Sequence, residues 1–422
     1  MSETTGGGMA AEAGRGLGAR LEGRAALMLC LAAAWIVLAA SVALIYAGIG
    51  RLAPDGAAGS VLPNDFAAFW AAGRLAPVEG AVAVLDPARL ATVQHFPATA
   101  PANTYFPFVY PPAWLVAVLP LGALPYAAAY PLFAGLSALL WAGAAWAIAR
   151  TGKAAGSGGW GLTLFLVATP LLFLALSAGQ TTPLWLALLV GGLLALRAGR
   201  ALLGGALIGL LAFKPQLCLV IPCALLAAAA VSPGQWRAVA GAAATVVLGA
   251  ALPTLYTGID YWPAWLAMLG DQGEKVAQAG AARNAMLPWY PALRGLGLEH
   301  GFASALQWGV TALCGAGVAW AWSRRGADAR LQAAVLCFAI PLAAPYAWYY
   351  EALVAVAGLG FLLAAGFGTS LAGRALVFAV WALPGPLTVA SASFPLFYVT
   401  APLLTLALAA SLAAVARDAA GR

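Results

Sequence analysis

The chain of 422 residues is 63% hydrophobic and only 8% charged, with a formal net charge of +7, whereas about 25% of an ordinary soluble domain is charged. This composition excludes a soluble protein. Uncharged runs such as 25–49 and 376–416 reach or exceed the ~20 apolar residues that cross a bilayer, and they lack the period-2 alternation of membrane barrels. The sequence predicts an all-α polytopic membrane protein. We attribute the positive charge to inner loops and not to nucleic-acid binding.

The predicted elements begin with a disordered cytoplasmic tail at 1–24, which is rich in Gly and Ala. The run 25–48 is longer than a signal-peptide core, so we expect a retained span. With it, the sequence predicts about twelve transmembrane helices in a single domain, 25–415, followed by a short cytoplasmic tail at 416–422. The other eleven predicted spans are 126–149, 160–177, 182–196, 201–213, 217–231, 238–255, 303–322, 331–345, 352–368, 375–390 and 396–415.

The charges predict the orientation of these spans. If both termini are cytoplasmic, about twice as many lysines and arginines fall on the inner side as on the outer side, as the positive-inside rule requires. The long outer loops are then about 49–125 and 256–302, and they contain most of the acidic residues and both histidines, His95 and His300. We therefore expect a protein integral to the plasma (inner) membrane, with its active site facing outside.

The stretch 110–124 is also apolar, but we do not count it as a span. It opens with Pro111 and Pro112, contains Pro120 and is closed by Pro125, which leaves too few residues to cross a bilayer. A re-entrant or interfacial helix fits this stretch better.

Earlier in the first outer loop, the residues after Asn64 predict a short helix. Phe66, Phe69, Trp70 and Gly73 recur at helical spacing. We expect this helix to lie at the membrane interface with its aromatic side chains toward lipid.

Two aspartates of this loop precede predicted helices. Asp65 is interpreted either as a functional carboxylate near the membrane surface or as a helix N-cap, a role that Asn64 could fill as well. Asp86, followed by Pro87, has the pattern of an N-cap with proline at the first helical position, and we interpret it as a cap.

Polar residues interrupt the apolar sequence where later spans meet. They include Gln180, then Lys214 and Gln216, then Glu351 at the end of the aromatic stretch 346–350. Lys214 is the only charge between Arg200 and Arg237, and a cation at membrane depth is costly enough to indicate function. We interpret it as the partner of an anion, in particular phosphate, with snorkelling to the interface as the alternative. Glu351 has no adjacent basic residue and needs a partner from elsewhere in the fold, and the aromatic stretch is either an interfacial belt or a sugar-stacking platform.

Other chemistry finds little support in the sequence. His95 and His300 each stand alone, so we predict no metal site and no cofactor. The sequence contains no Walker motif, nucleotide-binding glycine fingerprint or nucleophile elbow, which argues against an ATP-driven transporter or a serine hydrolase. The second outer loop could be a cap over a site or a tether. A secondary transporter or flippase and a noncatalytic assembly protein remain as alternatives to an enzyme.

The order of these segments resembles glycosyltransferase family 87, membrane enzymes of the GT-C superfamily related to polyprenol-phosphate-mannose-dependent mannosyltransferases. The resemblance covers about 30–365, and it is specific through the order and spacing of the motifs, not through any single one. The segments that carry it are Asn64-Asp65-Phe66, 69–76, Leu85-Asp86-Pro87, Tyr110-Pro111-Pro112, 120–125, Gly179-Gln180, Phe213-Lys214-Pro215-Gln216 and 345–351.

The resemblance implies a GT-C fold with interfacial helices in the first outer loop. It implies transfer of a hexose or pentose, mannose favoured, from a polyprenyl-phosphate sugar to a lipid or glycan hydroxyl at the outer face, usually with inversion. Membrane lipids are the other expected partners. Asp65 would be the general base, and Lys214 would steady the departing lipid phosphate. Further substrate-binding candidates are Gln180, Gln216, Glu351, Tyr350, Tyr110 and Arg74.

The sequence departs from the family pattern at three places. Glu351 stands where relatives commonly have Asp, Thr181 follows the Gly-Gln pair where Asn is common, and 348–350 lacks the His that some relatives have. These departures bear on sugar and acceptor contacts and not on the fold.

Overall fold

The computed structural model describes residues 64–95, 105–152, 159–278, 284–389, 395 and 397–421. The predicted tail 1–24 and the predicted first span 25–48 lie outside the described residues. Within the described ranges the chain is helical and contains no strand, and an isolated antiparallel bridge pairs Met286 with Trp348. The all-α prediction is confirmed.

The helices of the described residues are numbered here in chain order. The first nine are α1 (Phe66–Glu79), α2 (Pro87–Val93), α3 (Pro112–Gly122), α4 (Tyr126–Ala149), α5 (Trp160–Val167), α6 (Pro170–Ser177), α7 (Thr182–Arg197), α8 (Ala201–Gly209) and α9 (Ile221–Val231). The others are α10 (Trp236–Thr257), α11 (Tyr261–Gln278), α12 (Trp289–Gly295), α13 (His300–Trp322), α14 (Ala329–Ala343), α15 (Leu353–Ala364), α16 (Leu371–Ala382), α17 (Pro384–Val389) and α18 (Phe397–Ala420). Short 3₁₀ turns cover Ala81–Leu85, Leu210–Phe213, Pro215–Leu217, Pro233–Gln235 and Tyr349–Ala352.

Helices occupy all the predicted span positions that fall among the described residues, but their lengths differ. Five helical segments there are long and apolar enough to cross a membrane, and six shorter apolar ones have 10–17 residues. The predicted span 160–177 is a pair, α5 and α6, bent by 47°, because Pro170 has no N–H to continue the helical ladder. The multi-pass membrane prediction is confirmed, and the count of twelve spans stays a prediction.

The centre of the bundle is formed by α14 and α15, which are buried on nearly every side and apolar around almost their full circumference. Near the start of α14, the buried Arg330 pairs with Asp328. It also donates to the carbonyls of Thr151 at 2.9 Å and Ala364 at 2.7 Å. One guanidinium therefore satisfies carbonyl groups at the ends of α4 and α15, which have no partner within their own helices.

The aromatic side chains of α1 face the protein and not lipid, so that prediction is wrong. Phe66 is fully buried and its ring lies 5.1 Å from that of Phe133. Phe69 is also buried and its ring lies 5.6 Å from that of Trp114. The sequence shows only that α1 is apolar on most of its surface, and an apolar face can pack against either lipid or protein. In the structure α3 and α4 cover these faces.

Two glycines let α1 and α3 cross in close contact. The α-carbons of Gly73 and Gly122 face the backbone of the other helix, so that a Cβ atom at either position would overlap backbone atoms. Backbone atoms cannot move aside as the end of a flexible side chain can. This crossing fixes where α1, and hence Asp65 just before it, lies in the bundle.

We therefore expect Gly122→Ala to destabilise the protein by about 3 kcal/mol, at the upper end of the usual cost of overpacking. The measurement is the thermal unfolding midpoint in detergent. The matched control is Gly143→Ala on α4, where an added Cβ would meet no atom within 4 Å. That substitution should be neutral or stabilising by up to about 1 kcal/mol, because alanine is the better helix former. Equal midpoints for the two variants would contradict the close crossing.

Candidate active site

A cavity of about 480 Å³ opens where the two predicted outer loops meet the bundle, within the range of about 300–1,000 Å³ found for small-molecule sites. Most of its wall is aromatic or apolar, with a few polar groups. The residues that line it come from six regions: Asp65 and the start of α1, residues 106–110, Gln180, Lys214 and Gln216, the middle of α11, and residues 345–351. Tyr290 of α12 and the first half of α13 complete the lining.

Asp65 directly precedes α1, but its side chain caps no backbone N–H of that helix. The neighbouring Asn64 takes that position, since its Oδ1 accepts from the N–H of Phe66 at 3.2 Å. The carboxylate of Asp65 instead accepts a hydrogen bond of 2.6 Å from Nε2 of Gln180. Asp65 therefore lines the cavity with a role other than capping. Asp86 does cap α2, accepting from Ala88 N at 2.9 Å, which confirms that prediction.

The contact between Asp65 and Gln180 depends on a glycine turn. Gly179 ends α6 with φ of 69°, a left-handed conformation that favours glycine. A Cβ at this position would also overlap Cβ of Phe66. The turn can thus pass close against the start of α1 and place the next residue, Gln180, beside Asp65.

The hydrogen bond fixes the orientation of the Gln180 amide. Its NH₂ group must face the Asp65 carboxylate, because the amide oxygen would be repelled there. Oε1 of Gln180 is buried and has no hydrogen-bond partner within the described part of the chain. A buried acceptor without a partner is costly, so this oxygen is suited to accept from a bound hydroxyl group.

The surroundings of Asp65 change its acidity. Burial raises the pKa of the carboxyl above its usual range, while the Gln180 hydrogen bond and the charge of Lys214 act in the opposite direction. A carboxylate with a raised pKa is a stronger base than an exposed aspartate.

Lys214 lies between two 3₁₀ turns, and Pro215 after it disfavours a helical conformation at this residue. Its Nζ lies 3.0 Å from Oε1 of Glu351, and both side chains are nearly inaccessible, at 3% and 2% exposure. Lys214 is thus the partner of Glu351 that the sequence left unassigned. Oε2 of Glu351 accepts from the N–H of Trp348 at 2.7 Å, so the same carboxylate also holds the turn that follows Trp348.

Three other predicted residues lie on the same cavity wall. The ring of Tyr350 lies beneath Lys214, with Nζ 5.1 Å from the ring centroid. Tyr110 is buried, which raises the pKa of its phenol, so this group stays neutral and able to donate. Gln216 is half-buried beside Lys214.

Arg74 is the predicted residue that the structure does not bring to the cavity. It is exposed on α1, its guanidinium lies 5.3 Å from the ring centroid of Trp70, and Nη1 lies 3.5 Å from the carbonyl of Gly122. Its side chain therefore lies along the crossing of α1 and α3, and we leave it out of the proposed site.

The second of the predicted outer loops supplies cavity residues that the sequence analysis missed. Helix α11 contributes Gln272 to the cavity. The hydroxyl of Tyr261, at the start of this helix, donates a hydrogen bond of 3.0 Å to the carbonyl of Tyr110 and so attaches α11 to the first loop. His300 and Tyr290 also line the cavity, with Nδ1 2.9 Å from the Tyr290 hydroxyl. No spacing rule joins residues of these types, so their place in a predicted outer loop was the only signal for them.

Metal binding has no evident ligand set in the described ranges. No group of three or more His, Cys, Asp or Glu side chains lies close enough there to hold an ion. The prediction of an enzyme without metal or cofactor stays a prediction.

Comparison with known proteins identifies the class to which this fold and cavity belong. The model of glycosyltransferase family 87 matches residues 108–345, more than half of the chain, so the chain belongs to this family and is a membrane glycosyltransferase. No curated protein and no solved structure matches it significantly. The match includes Tyr110, Gln180, Lys214 and Gln216 but begins after Asp65 and ends before Glu351. The transporter alternative finds no support in this assignment.

Proposed function

We propose that this enzyme transfers a hexose or pentose, mannose favoured, from a polyprenyl phosphate to a hydroxyl group of a lipid or glycan. The sugar is transferred with inversion and Asp65 is the general base. The observation that carries this proposal is that one cavity holds both Asp65, whose pKa is raised by burial, and the buried cation Lys214. A base and an anion-binding cation are the two groups that displacement of a phosphate by a hydroxyl requires.

The proposed reaction is a single displacement. The acceptor oxygen attacks C1 of the sugar while Asp65 takes its proton, and the bond between C1 and the phosphate oxygen breaks. Lys214 stabilises the charge that collects on the departing phosphate. The attack takes place opposite the leaving group, so the configuration at C1 inverts.

The remaining polar groups would orient the substrates. The free Oε1 of Gln180 would accept from the acceptor or a sugar hydroxyl, while its NH₂ group keeps the Asp65 carboxylate aligned. Gln216, Tyr110 and Tyr350 would contact the donor near its phosphate. Both carboxylate oxygens of Glu351 are engaged, by Lys214 and by Trp348, so we assign Glu351 to holding Lys214 and not to binding hydroxyl groups.

We also propose a cellular location for the enzyme and an orientation for its site. The donor is a membrane lipid, which suits a cavity at the end of apolar helices, and the enzyme would lie in the plasma membrane in a GT-C-like arrangement. The distribution of lysine and arginine supports cytoplasmic termini and a site that faces outside.

The test is sugar transfer by the wild-type protein in lipid nanodiscs. Labelled polyprenyl-phosphate mannose, glucose and arabinose would be offered as donors, with a crude lipid extract and a panel of glycans as acceptors. We expect transfer from the mannose donor, with the product anomer inverted as seen by NMR. Absence of turnover with every lipid-phosphate sugar would refute the proposed donor class.

A further inference from the structure

The cation of the proposed phosphate site already has a counter-ion. Lys214 contacts Glu351 at 3.0 Å, and both side chains are almost inaccessible to solvent. Its other contacts within the described residues, the Thr182 hydroxyl at 3.5 Å and the Tyr350 ring, are neutral. A phosphate that reaches Lys214 must therefore share the ammonium group with Glu351. The pair resembles, in charge and geometry, the contact that the phosphate itself would make.

The charges at the site indicate how competition between Glu351 and a bound phosphate for Lys214 affects ligand binding. With Asp65 ionised, the two carboxylates and Lys214 sum to −1, and a sugar phosphodiester adds another −1. After transfer the lipid phosphate is a monoester, which carries about −1.5 to −2 near neutral pH. Directly after transfer Asp65 holds the proton of the acceptor; once this proton has passed to the solvent, the side chains again sum to −1 and face the more highly charged product. Like charges in a site of low dielectric repel strongly, so the repulsion is then greater with the product bound than with the donor bound.

We propose that Glu351 is a positioning residue that promotes release of the polyprenyl phosphate product. In the empty site it holds Lys214 over the Tyr350 ring, and after sugar transfer its negative charge competes with the phosphomonoester for the same ammonium group. This inference rests on the proposed function. Glu351 lies beside Lys214, the one buried lysine in the described residues, where its negative charge weakens the binding of an anion. Promotion of product release explains why an acid occupies this position.

Glu351 can act in this way because it is anchored independently of Lys214. The N–H of Trp348 donates to Oε2 at 2.7 Å, and the N–H of Glu351 returns a hydrogen bond of 2.8 Å to the Trp348 carbonyl. The carboxylate therefore stays in place when a phosphate draws Lys214 away. Its charge acts on the ligand throughout the cycle.

The test is direct binding of polyprenyl phosphate to the protein in nanodiscs, compared for wild type and Glu351→Gln. The glutamine keeps the size of the side chain and removes the charge. We expect the variant to bind the product at least about tenfold more tightly, as removal of one nearby charge predicts, and kcat to fall because release becomes slower. The control is Glu274→Gln, an exposed acid of α11 that does not line the cavity, which should bind as wild type does.

A second measurement needs no variant. Wild-type protein should bind the singly charged methyl ester of polyprenyl phosphate several-fold more tightly than the free monoester, and Glu351→Gln should narrow this difference. Unchanged or weaker product binding by a folded Glu351→Gln protein overturns the inference, as does equal binding of monoester and methyl ester by wild type. If wild type binds no polyprenyl phosphate at all, the proposed function fails instead.

Discussion

Asp65→Asn should lower the rate of sugar transfer by about 10²–10⁴-fold, the contribution usual for a general base. The amide has nearly the size of the carboxylate but cannot accept a proton from the acceptor hydroxyl. Because Asp65 does not cap α1, the variant should fold normally and bind the donor with little change. The measurements are transfer in nanodiscs, donor affinity and the unfolding midpoint in detergent.

The matched control is Asp86→Asn. It makes the same change at an aspartate that, like Asp65, lies in the first predicted outer loop and precedes a helix. Asp86 caps α2 and does not line the cavity, and asparagine caps about as well, so transfer should be unchanged. A normal rate for Asp65→Asn would move the base elsewhere. Loss of folded Asp65→Asn protein would support a structural role for the carboxylate.

The pH dependence provides an independent test of Asp65. The base must be ionised, so kcat/KM should fall as the pH drops through its pKa, which burial raises above the about 3.9 of an ordinary aspartate. Gln180→Leu removes a hydrogen bond that favours the ionised form, so it should move this acid limb to still higher pH. A limb that stays at or below about pH 4 would contradict the raised pKa.

Lys214→Met should weaken donor binding by about 10- to 100-fold, because charge-assisted contacts to a phosphate contribute about 1.5–3 kcal/mol. Methionine keeps an unbranched chain of similar length and removes the charge. Donor affinity in nanodiscs is the measurement. Unchanged affinity would remove the phosphate role of Lys214.

This substitution also leaves Glu351 buried without its partner, which is costly for folding. The control is the double variant Lys214→Met/Glu351→Gln, in which neither side chain is charged and folding should recover. Its donor affinity should stay at least about tenfold below that of Glu351→Gln alone. Recovery of both folding and donor binding would mean that Lys214 acts only as a structural counter-ion.

Much of the fold follows from local pattern. Hydropathy located the helices, the Asp86-Pro87 pair predicted the cap of α2, and the prolines around 111–125 predicted a helix too short to cross, which is found as the 11 residues of α3. Each of these depends on neighbouring residues alone, since caps, helix breaks and apolar runs are local in the chain.

For the candidate site, the sequence indicated which residues are involved but not which of them contact one another. Its residue types were evident, because a lone lysine in an apolar region and acids before helices are conspicuous, but their partners were not. Glu351 is 137 positions from Lys214, and Gln180 is 115 positions from Asp65. The exclusion of Arg74 from the cavity likewise follows from how α1 crosses α3.

The sequence by itself therefore determined that this is a multi-pass helical membrane protein, and its motifs indicated the family. Only the tertiary structure decided that the aromatic side chains of α1 face protein, that α5 and α6 are bent apart, and that Glu351 neutralises Lys214. The physical reason is that lipid tails are as apolar as a protein core. An apolar face therefore shows that water is excluded, and only packing shows what covers that face.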